Sequence, residues 1–389
     1  ADAIHVATKI KAFASMGGPA EYIDELAARG VLCVSGGCYA SAAVETYLRN
    51  KPYVWSWYIA NTQAYLHRME YIGKRLCGRP AKFAGDGAFR ALRRKFAVLS
   101  FNDAQDSYKS GAEFGVKELE KYPGADGQGC KADDLIFQTL NVQTAQEDAT
   151  TIIGRLKDKG ITSVLYTGDP VSLIVYTKEA TKQNYFPEWV IGASVLTDTT
   201  FFGRLYDQTQ WRNAFGISWN PARVVRQETE AYKLFKWHHG SKEPIAEDSY
   251  NVIFPTHLML FTGLHMAGPD LTVESFAKGM GAYPPTPANA SGITRMMLSF
   301  GKHGFWQWED FTAQDDATDI WWDPLVEGED ENGNRGAGMV RYVEGGKRFM
   351  PGQRPTTEPA VQNPSGTVLV YDKRPQQDAW PEYQHQHYE

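Results

Sequence analysis

Short, wholly apolar runs closed by small polar turns alternate with longer stretches of helical spacing through the first two hundred residues. Ile10 to Ser15 and Val31 to Ser35 read as strands, closed by Met16-Gly17-Gly18 and by Gly36-Gly37, with a helix from Ala20 to Arg29 between them. Residues 59 to 76 carry apolar positions at Ile59, Ala60, Ala64, Tyr65, Met69, Ile72 and Leu76, the spacing of a long helix. Then follow a strand at Phe96–Phe101, a helix at 110–121, a strand at 135–138 and a helix at 147–159. A strand at 161–166, a helix at 171–183 and a strand at 189–192 complete the series. This βαβα rhythm with short connections predicts parallel sheets covered by helices on both faces.

The rhythm breaks twice. Residues 77–94 are rich in Gly, Arg and Lys, and read as a surface loop on a crossing between two lobes. After an apolar run at Ala214–Trp219 the chain turns mainly helical through Met280, with Tyr250–Met266 as its strongest buried helix. From Tyr283 onward Pro, Gly, Asn and Asp dominate, which predicts hairpins and loops laid over a surface. Ala1 to Lys9 reads as the last turns of a helix that runs into a strand, without the pattern of a signal peptide.

Composition narrows the function classes. In 389 residues, 40 Lys and Arg against 46 Asp and Glu give a net charge of −6, which argues against a phosphate-binding surface and so against nucleic acid. No apolar stretch reaches the roughly 18 residues of a spanning helix. Aromatic residues make up 13% of the chain, enough to fill large cores or to line a site that grips a ligand by area. Cys33, Cys38, Cys77 and Cys130 match no zinc spacing, and an even, sparse set fits an oxidising compartment.

Candidate chemistry gathers at the strand ends, where open α/β sheets bind ligands. These read Ser15-Met16-Gly17-Gly18, Ser35-Gly36-Gly37-Cys38-Tyr39, Phe101-Asn102-Asp103, Thr167-Gly168-Asp169 and Gly192-Ala193-Ser194. Exposed backbone amides in such turns hold a carboxylate well, although ordinary βα turns favour the same residues. No GxGxxG, GxxxxGK[ST] or GxSxG motif is present, which speaks against a nucleotide cofactor and makes a hydrolase a minor reading. His238-His239 reads as a helix end rather than a metal site, because adjacent helical residues face apart. The oxygen-rich run from Glu327 to Asn334 lacks the full calcium-loop pattern and reads as an acidic hairpin tip. Asn289-Ala290-Ser291 is a formal glycosylation sequon.

In this order, three motifs resemble the type I periplasmic binding proteins, the branched-chain amino-acid receptor branch of ABC transporter solute receptors. They are KAFASMGG followed by RGVLCVSGG, then FAVLSFNDAQDSYKSG, then the long segment EDATTIIGRLKDKGITSVLYTGDPVSLIVYTKEATKQNYFPEWVIGA. The resemblance spans residue 1 to about 300. It implies an α/β fold of two lobes, each a mainly parallel sheet with helices on both faces, joined by three crossings. The expected division is 1–76 for lobe 1, 77–208 for lobe 2, 209–300 for a return to lobe 1 and 301–389 for a hairpin and surface extension that contacts lobe 2.

The implied activity is capture of a small polar or amphipathic molecule between the lobes. Delivery to an ABC permease would follow outside the cytoplasm, without catalysis or cofactor, and with membrane association only through a lipid anchor outside this sequence. A sensor of the same fold is the alternative, and an α/β hydrolase a more distant one. Carried over by position, Ser15 with the amides of Met16 and Gly17 faces the cleft, and Cys38 and Tyr39 stand where relatives anchor an α-carboxylate and α-amine. Tyr108 closes over the ligand; Asp169 and Ser194 reach it from the second lobe. Cys38-Tyr39 in place of a small-residue and hydroxyl pair, and Ser194 in place of an acid, put an amino-acid ligand in doubt. Trp55, Trp57 and Tyr58 read as core or hinge packing before cleft lining.

Within that scheme Cys77 and Cys130 precede neighbouring strands of lobe 2 and are expected to pair. Cys33 and Cys38 either pair with each other or with a cysteine outside the sequence. Because Ile10–Ser15 and Val31–Ser35 read as interior strands, roughly 100 further N-terminal residues, about three βα units, are expected to complete the first sheet.

Overall fold

The structure is a computed structural model that describes residues 1–39, 42–102, 107–139, 141, 143–244, 249–285 and 292–378; Asp103 and the sequon at 289–291 lie outside them. The first sheet has three short parallel strands in the order β1-β2-β3, at Ala14–Ser15, Leu32–Val34 and Val54–Trp55. Beside them lie helices α1 (Asp2–His5, continued as a π-helical stretch to Ile10), α2 (Ala20–Ala28) and α3 (Val44–Arg49). The strand expected from Ile10 thus begins only at Ala14, because the N-terminal helix runs on to Ile10 and Lys11 turns the chain with φ +56°.

The second sheet is larger. Strands β4 (Phe96–Phe101), β5 (Ala132–Gln138), β6 (Ser163–Thr167), β7 (Glu188–Ile191) and β8 (Ala214–Ser218) are parallel, in the order β8-β7-β6-β4-β5. Beyond β8 come two antiparallel strands, β10 (Ala317–Glu329) and β11 (Arg335–Tyr342), and β12 (Arg348–Phe349) also pairs with β10. A separate pair joins β9 (Arg223–Val224) to β13 (Val370–Tyr371).

Period-two alternation decides which face each side chain covers. Phe96 and Val98 of β4 pack with helices α4 (Asn61–Glu70, continued as π-helix Tyr71–Leu76) and α5 (Ser107–Leu119). Ala97 and Leu99 pack on the opposite face with α6 (Ala145–Asp158) and α7 (Pro170–Lys182), near the short helices α8 (Thr200–Gly203) and α9 (Gln208–Trp211). Helix α5 approaches α4 closely because Gly111 and Gly115 face it. A Cβ on Gly111 would lie 2.3 Å from the Asn61 amide, and one on Gly115 2.3 Å from the Tyr65 ring.

Helices α10 (Glu230–His239), α11 (Ser249–Ala267) and α12 (Val273–Ala282) return to the first lobe, where Met259, Phe276 and Met280 share a core with Leu32, Val34 and Trp55. Residues 311–313 run beside β3, with Ser56 and Ala313 donating backbone N–H bonds to Phe311 and Ser56.

Three boundaries differ from the sequence reading. Residues 61–76 cover the second sheet, not the first, because the inward face of α4 packs on α5. Ala214–Ser218 pairs with β7 and β10, so the return to the first lobe begins after it. The C-terminal segment is not a surface layer: Ile320, Trp321 and Trp322 are buried and β10 is an interior strand. Pro324 hid this strand; it lies where the β10–β11 register shifts, between Asp323 and Glu327, the irregularity at which a sheet tolerates proline.

The structure pairs Cys77 with Cys130, as expected, and also Cys33 with Cys38, resolving the alternative left open. Trp55 lies in the core against Phe276, Phe300 and Phe311.

Candidate functional site

Two turns at the carboxyl ends of β1 and β2 lie back to back. Gly17 has φ +115°, and a Cβ there would stand 3.0 Å from the Gly37 backbone, so the contact needs glycine. Ser35 locks the pair: its Oγ donates to Met16 O at 2.8 Å and accepts from Gly37 N at 2.9 Å. Met16, Ser35, Gly36, Gly37 and Tyr58, with Thr256 and His257 of α11, line an open recess of about 480 Å³. Polar backbone and one aromatic ring therefore meet where the sequence placed a ligand turn.

The residues singled out in that turn divide. Ser15 Oγ donates to Gly17 O at 3.3 Å and shapes the turn, and Met16 is exposed at its rim. Cys38 is fully buried and bonded to Cys33, so its side chain belongs to the core. Tyr39 adopts φ +53° and turns away: its hydroxyl donates to Asp24, and Asn50 Nδ2 donates to it at 3.2 Å. Burial and the Asp24 carboxylate both push the Tyr39 phenol far above its ordinary value, so it stays a neutral donor.

In the second lobe, Asp169 caps α7. Its Oδ1 accepts from Val171 N at 2.9 Å and Ser172 N at 2.8 Å, while Oδ2 accepts from Gln138 Nε2 at 2.8 Å. Ser194 is buried and donates to Gly168 O at 2.7 Å. Both carry strand-end architecture with their polar atoms. Tyr108 differs, being half-buried in the first turn of α5 with its ring edge-on to Phe101 at 5.6 Å.

Sequence reading missed a polar row on α4 that bonds to both lobes. Asn61, Tyr65 and Arg68 follow one another at i, i+4 and i+7 on one face of α4. Asn61 N donates to Ala42 O of the first lobe at 2.8 Å, and its side-chain amide donates to Ser107 O of α5 at 2.7 Å. The Tyr65 hydroxyl bonds with Ser100 Oγ (3.2 Å) and Thr167 Oγ1 (3.0 Å) at the ends of β4 and β6. Arg68, only 4% exposed, donates through Nε to Gly192 O at 2.7 Å and through Nη1 to Asn61 Oδ1 at 3.4 Å. Its guanidinium lies over the rings of Tyr65 (4.7 Å) and Trp219 (5.7 Å). Burial holds its pKa below the ordinary arginine value. The available signal was a charge flanked by Ala64, Tyr65 and Ile72 at i−4, i−3 and i+4, where the helix pattern calls for an apolar residue.

Side chains of the same helix also tie the crossings between the lobes. Gln63 Nε2 donates to Asp310 Oδ2 at 3.0 Å, and the His67 ring bonds through Nε2 to Asp315 O at 2.9 Å. Arg348 donates to Trp219 O, Asp316 O and Asp316 Oδ1. Burial, with Arg354 nearby, pushes His67 down to about 3, so it is neutral at physiological pH. Burial pushes Asp198 up to about 6, although Ser218 Oγ and Asn220 Nδ2 donate to it. Among the described residues no group of three or more His, Cys, Asp or Glu side chains is placed to hold a metal ion. Two carboxylates of the hairpin tip are engaged by backbone: Glu331 accepts from the N–H groups of Thr200 and Phe201 of α8, and Asp330 from those of Asn332 and Asn334.

No family model matches the sequence, and no curated protein does. Solved structures do match in fold. The solute-binding protein of an ABC transporter from R. palustris in complex with 4-hydroxybenzoate is 12% identical, with 87% of this chain and 81% of that chain covered at a TM-score of 0.56. A branched-chain amino acid ABC transporter from Thermus thermophilus with bound valine is also 12% identical, at 90% and 81% coverage and TM-score 0.55. A fatty acid ABC transporter substrate-binding protein from Thermomonospora curvata, again 12% identical, covers 92% and 81% at 0.54. The chain therefore has the two-lobed α/β fold that the motifs imply.

Proposed function

We propose that this protein is an extracytoplasmic solute-binding receptor. It captures a small polar or amphipathic molecule between its lobes and presents it to the membrane permease of an ABC importer, leaving the molecule chemically unchanged. The observation that carries this reading is a fold shared with transporter solute-binding proteins, in which α4 bonds both to the first lobe, through Asn61 N to Ala42 O, and to second-lobe strand ends, through Tyr65 to Ser100 and Thr167. Four cysteines joined in two disulfides fit an oxidising compartment. Among the described residues no helix is long and apolar enough to cross a membrane.

In this reading the first lobe offers the turn at Ser15, Met16 and Gly17 together with Gly36, Gly37 and Tyr58, and the second lobe offers Tyr108. Cys38, Tyr39, Asp169 and Ser194 support the turns from behind. Ligand contacts made from both lobes only in the closed form shift the open-to-closed equilibrium toward closure. Native mass spectrometry of the purified chain is expected to show a retained small molecule, and small-angle scattering a more compact particle when that molecule is restored after removal. A chain that binds no small metabolite and keeps one radius throughout contradicts the proposal.

A further inference from the structure

The second lobe contains a buried positive charge whose hydrogen-bond partners among the described residues are all neutral. Elsewhere in this lobe buried arginines meet carboxylates: Arg94 meets Glu188, Arg75 and Arg354 meet Asp319, and Arg348 meets Asp316. Arg68 forms no ion pair among the described residues, and its Nη2 has no hydrogen-bond partner there. A carbonyl, an amide oxygen and two aromatic faces orient it without neutralising it. Asp198, the carboxylate that acts on it electrostatically, is held by Ser218 and Asn220 instead.

The surroundings match an anchor rather than a core residue. Gly192, which receives the Arg68 Nε–H, opens a loop in which Ala193, Val195 and Leu196 have φ values of +52°, +37° and +65°. A β-branched valine in that region is costly, and such strain persists where the surroundings over-determine it, often at ligand contacts. Val195 and Leu196 are also exposed, at 53% and 42%, directly after a buried strand. A guanidinium held by the residue three positions before an exposed apolar pair suits an acid with an apolar body.

We propose that Arg68 anchors the ligand's carboxylate from the second-lobe side of the cleft, with Val195 and Leu196 contacting its apolar part. This inference rests on the receptor reading above and adds the ligand's charge and polarity: the acidic end points at the second lobe, while the first-lobe turn holds the other end. The buried charge finds its counter-ion only when ligand is present, so its electrostatic cost falls on the unliganded protein.

The test compares wild type, Arg68→Met and Arg68→Lys by thermal shift at millimolar concentrations of N-acetylvaline, 4-hydroxybenzoate and decanoate, each beside its neutral primary amide. Wild type is expected to be stabilised by at least one acid and not by its amide. Arg68→Met is expected to bind that acid about 10- to 100-fold more weakly, the scale of a charge-assisted hydrogen bond, with an unliganded melting temperature equal to or above that of wild type. Arg68→Lys keeps the charge without the fork. It is expected to bind the acid at an intermediate affinity, which keeps the test valid if Arg68→Met does not fold. Equal binding of acid and amide, or undiminished acid binding by Arg68→Met and Arg68→Lys, overturns the anchor and leaves the receptor standing. No response to any acid overturns the anchor; retention of a non-acidic molecule in native mass spectrometry then keeps the receptor reading, and retention of none removes both.

Discussion

The two lobes hold their strand ends by different means. In the first, three strands of two or three residues end in turns fixed by backbone contact, by Ser35 and by the short Cys33–Cys38 bridge, and the ion pairs Arg29–Glu25 and Lys51–Glu309 stay at the surface. In the second, longer strands are braced by buried ion pairs, and side chains such as Asp169, Ser194 and Tyr65 tie neighbouring strand ends together. The first lobe therefore leaves backbone available for contact, whereas the second has committed most of its polar side chains. Arg68 stands out because it belongs to the braced lobe without sharing in the bracing.

The largest expected loss lies at Arg94. Its guanidinium meets Glu188 at 2.8 and 2.9 Å with both side chains fully buried, and Glu188 also accepts from Ser163 and Phe83 N. Arg94→Ala leaves that carboxylate buried without its counter-charge, and denaturant titration is expected to show a loss of about 3–5 kcal/mol. A loss under 1 kcal/mol would mean that buried pairs are not what braces this lobe.

The two disulfides close loops of very different length. Removing Cys77 and Cys130 together, which span 53 residues, is expected to cost about 4 kcal/mol by loop-closure entropy. Removing Cys33 and Cys38, five apart, costs about 2 kcal/mol on the same scale and disturbs the first-lobe turn. Equal losses in the two double alanine variants would show that strain or residual unfolded structure outweighs loop length.

His67 tests the seam between the lobes. Its folded pKa of about 3 lies below its ordinary 6.5, so as pH falls the unfolded chain binds the proton first. Its contribution is therefore fully present above about 6.5 and fades as pH drops toward 3. Asp315 receives its Nε2–H, while Arg354, Arg348 and Arg68 add positive charge that opposes protonation. Relative to His67→Gln, the wild type is expected to lose roughly 2 kcal/mol between neutral pH and pH 5. Parallel pH–stability curves for the two proteins would show that the imidazole charges freely in place.

Much of the fold is legible because burial on both faces makes strands apolar throughout. Phe96–Phe101 matches its expected strand end to end, and the elements from residue 145 to 191 lie within a few residues of their expected places. Long-range pairing is not legible in this way. Nothing local in Ala214–Ser218 says which sheet it joins, and Pro324 disguises a thirteen-residue interior strand. For the candidate site, sequence marks the strand ends and is silent on what their side chains bond to. Sequence shows that Asp169 and Ser194 stand at strand ends, but whether their oxygens face a ligand or a neighbouring backbone depends on partners such as Gln138 and Gly168. The smallest effect tests this reading: Asp169→Ala is expected to cost about 1 kcal/mol as a lost helix cap, with ligand affinity unchanged in the same thermal-shift assay. A tenfold loss of affinity would return Asp169 to the cleft.

The pairing of β8 with β10 has a consequence during synthesis. Ser218 finds its partner Thr318 only about a hundred residues later, after the chain has built helices of the other lobe. Until then β8 presents an unpaired edge of apolar residues, Phe215 and Ile217 among them, the kind of edge that recruits strands from other chains. Synthesis from the N-terminus therefore leaves this edge exposed until residues 317–349 have emerged. Successful maturation then depends on how quickly residues 317–349 follow, or on a chaperone that covers the edge in the meantime.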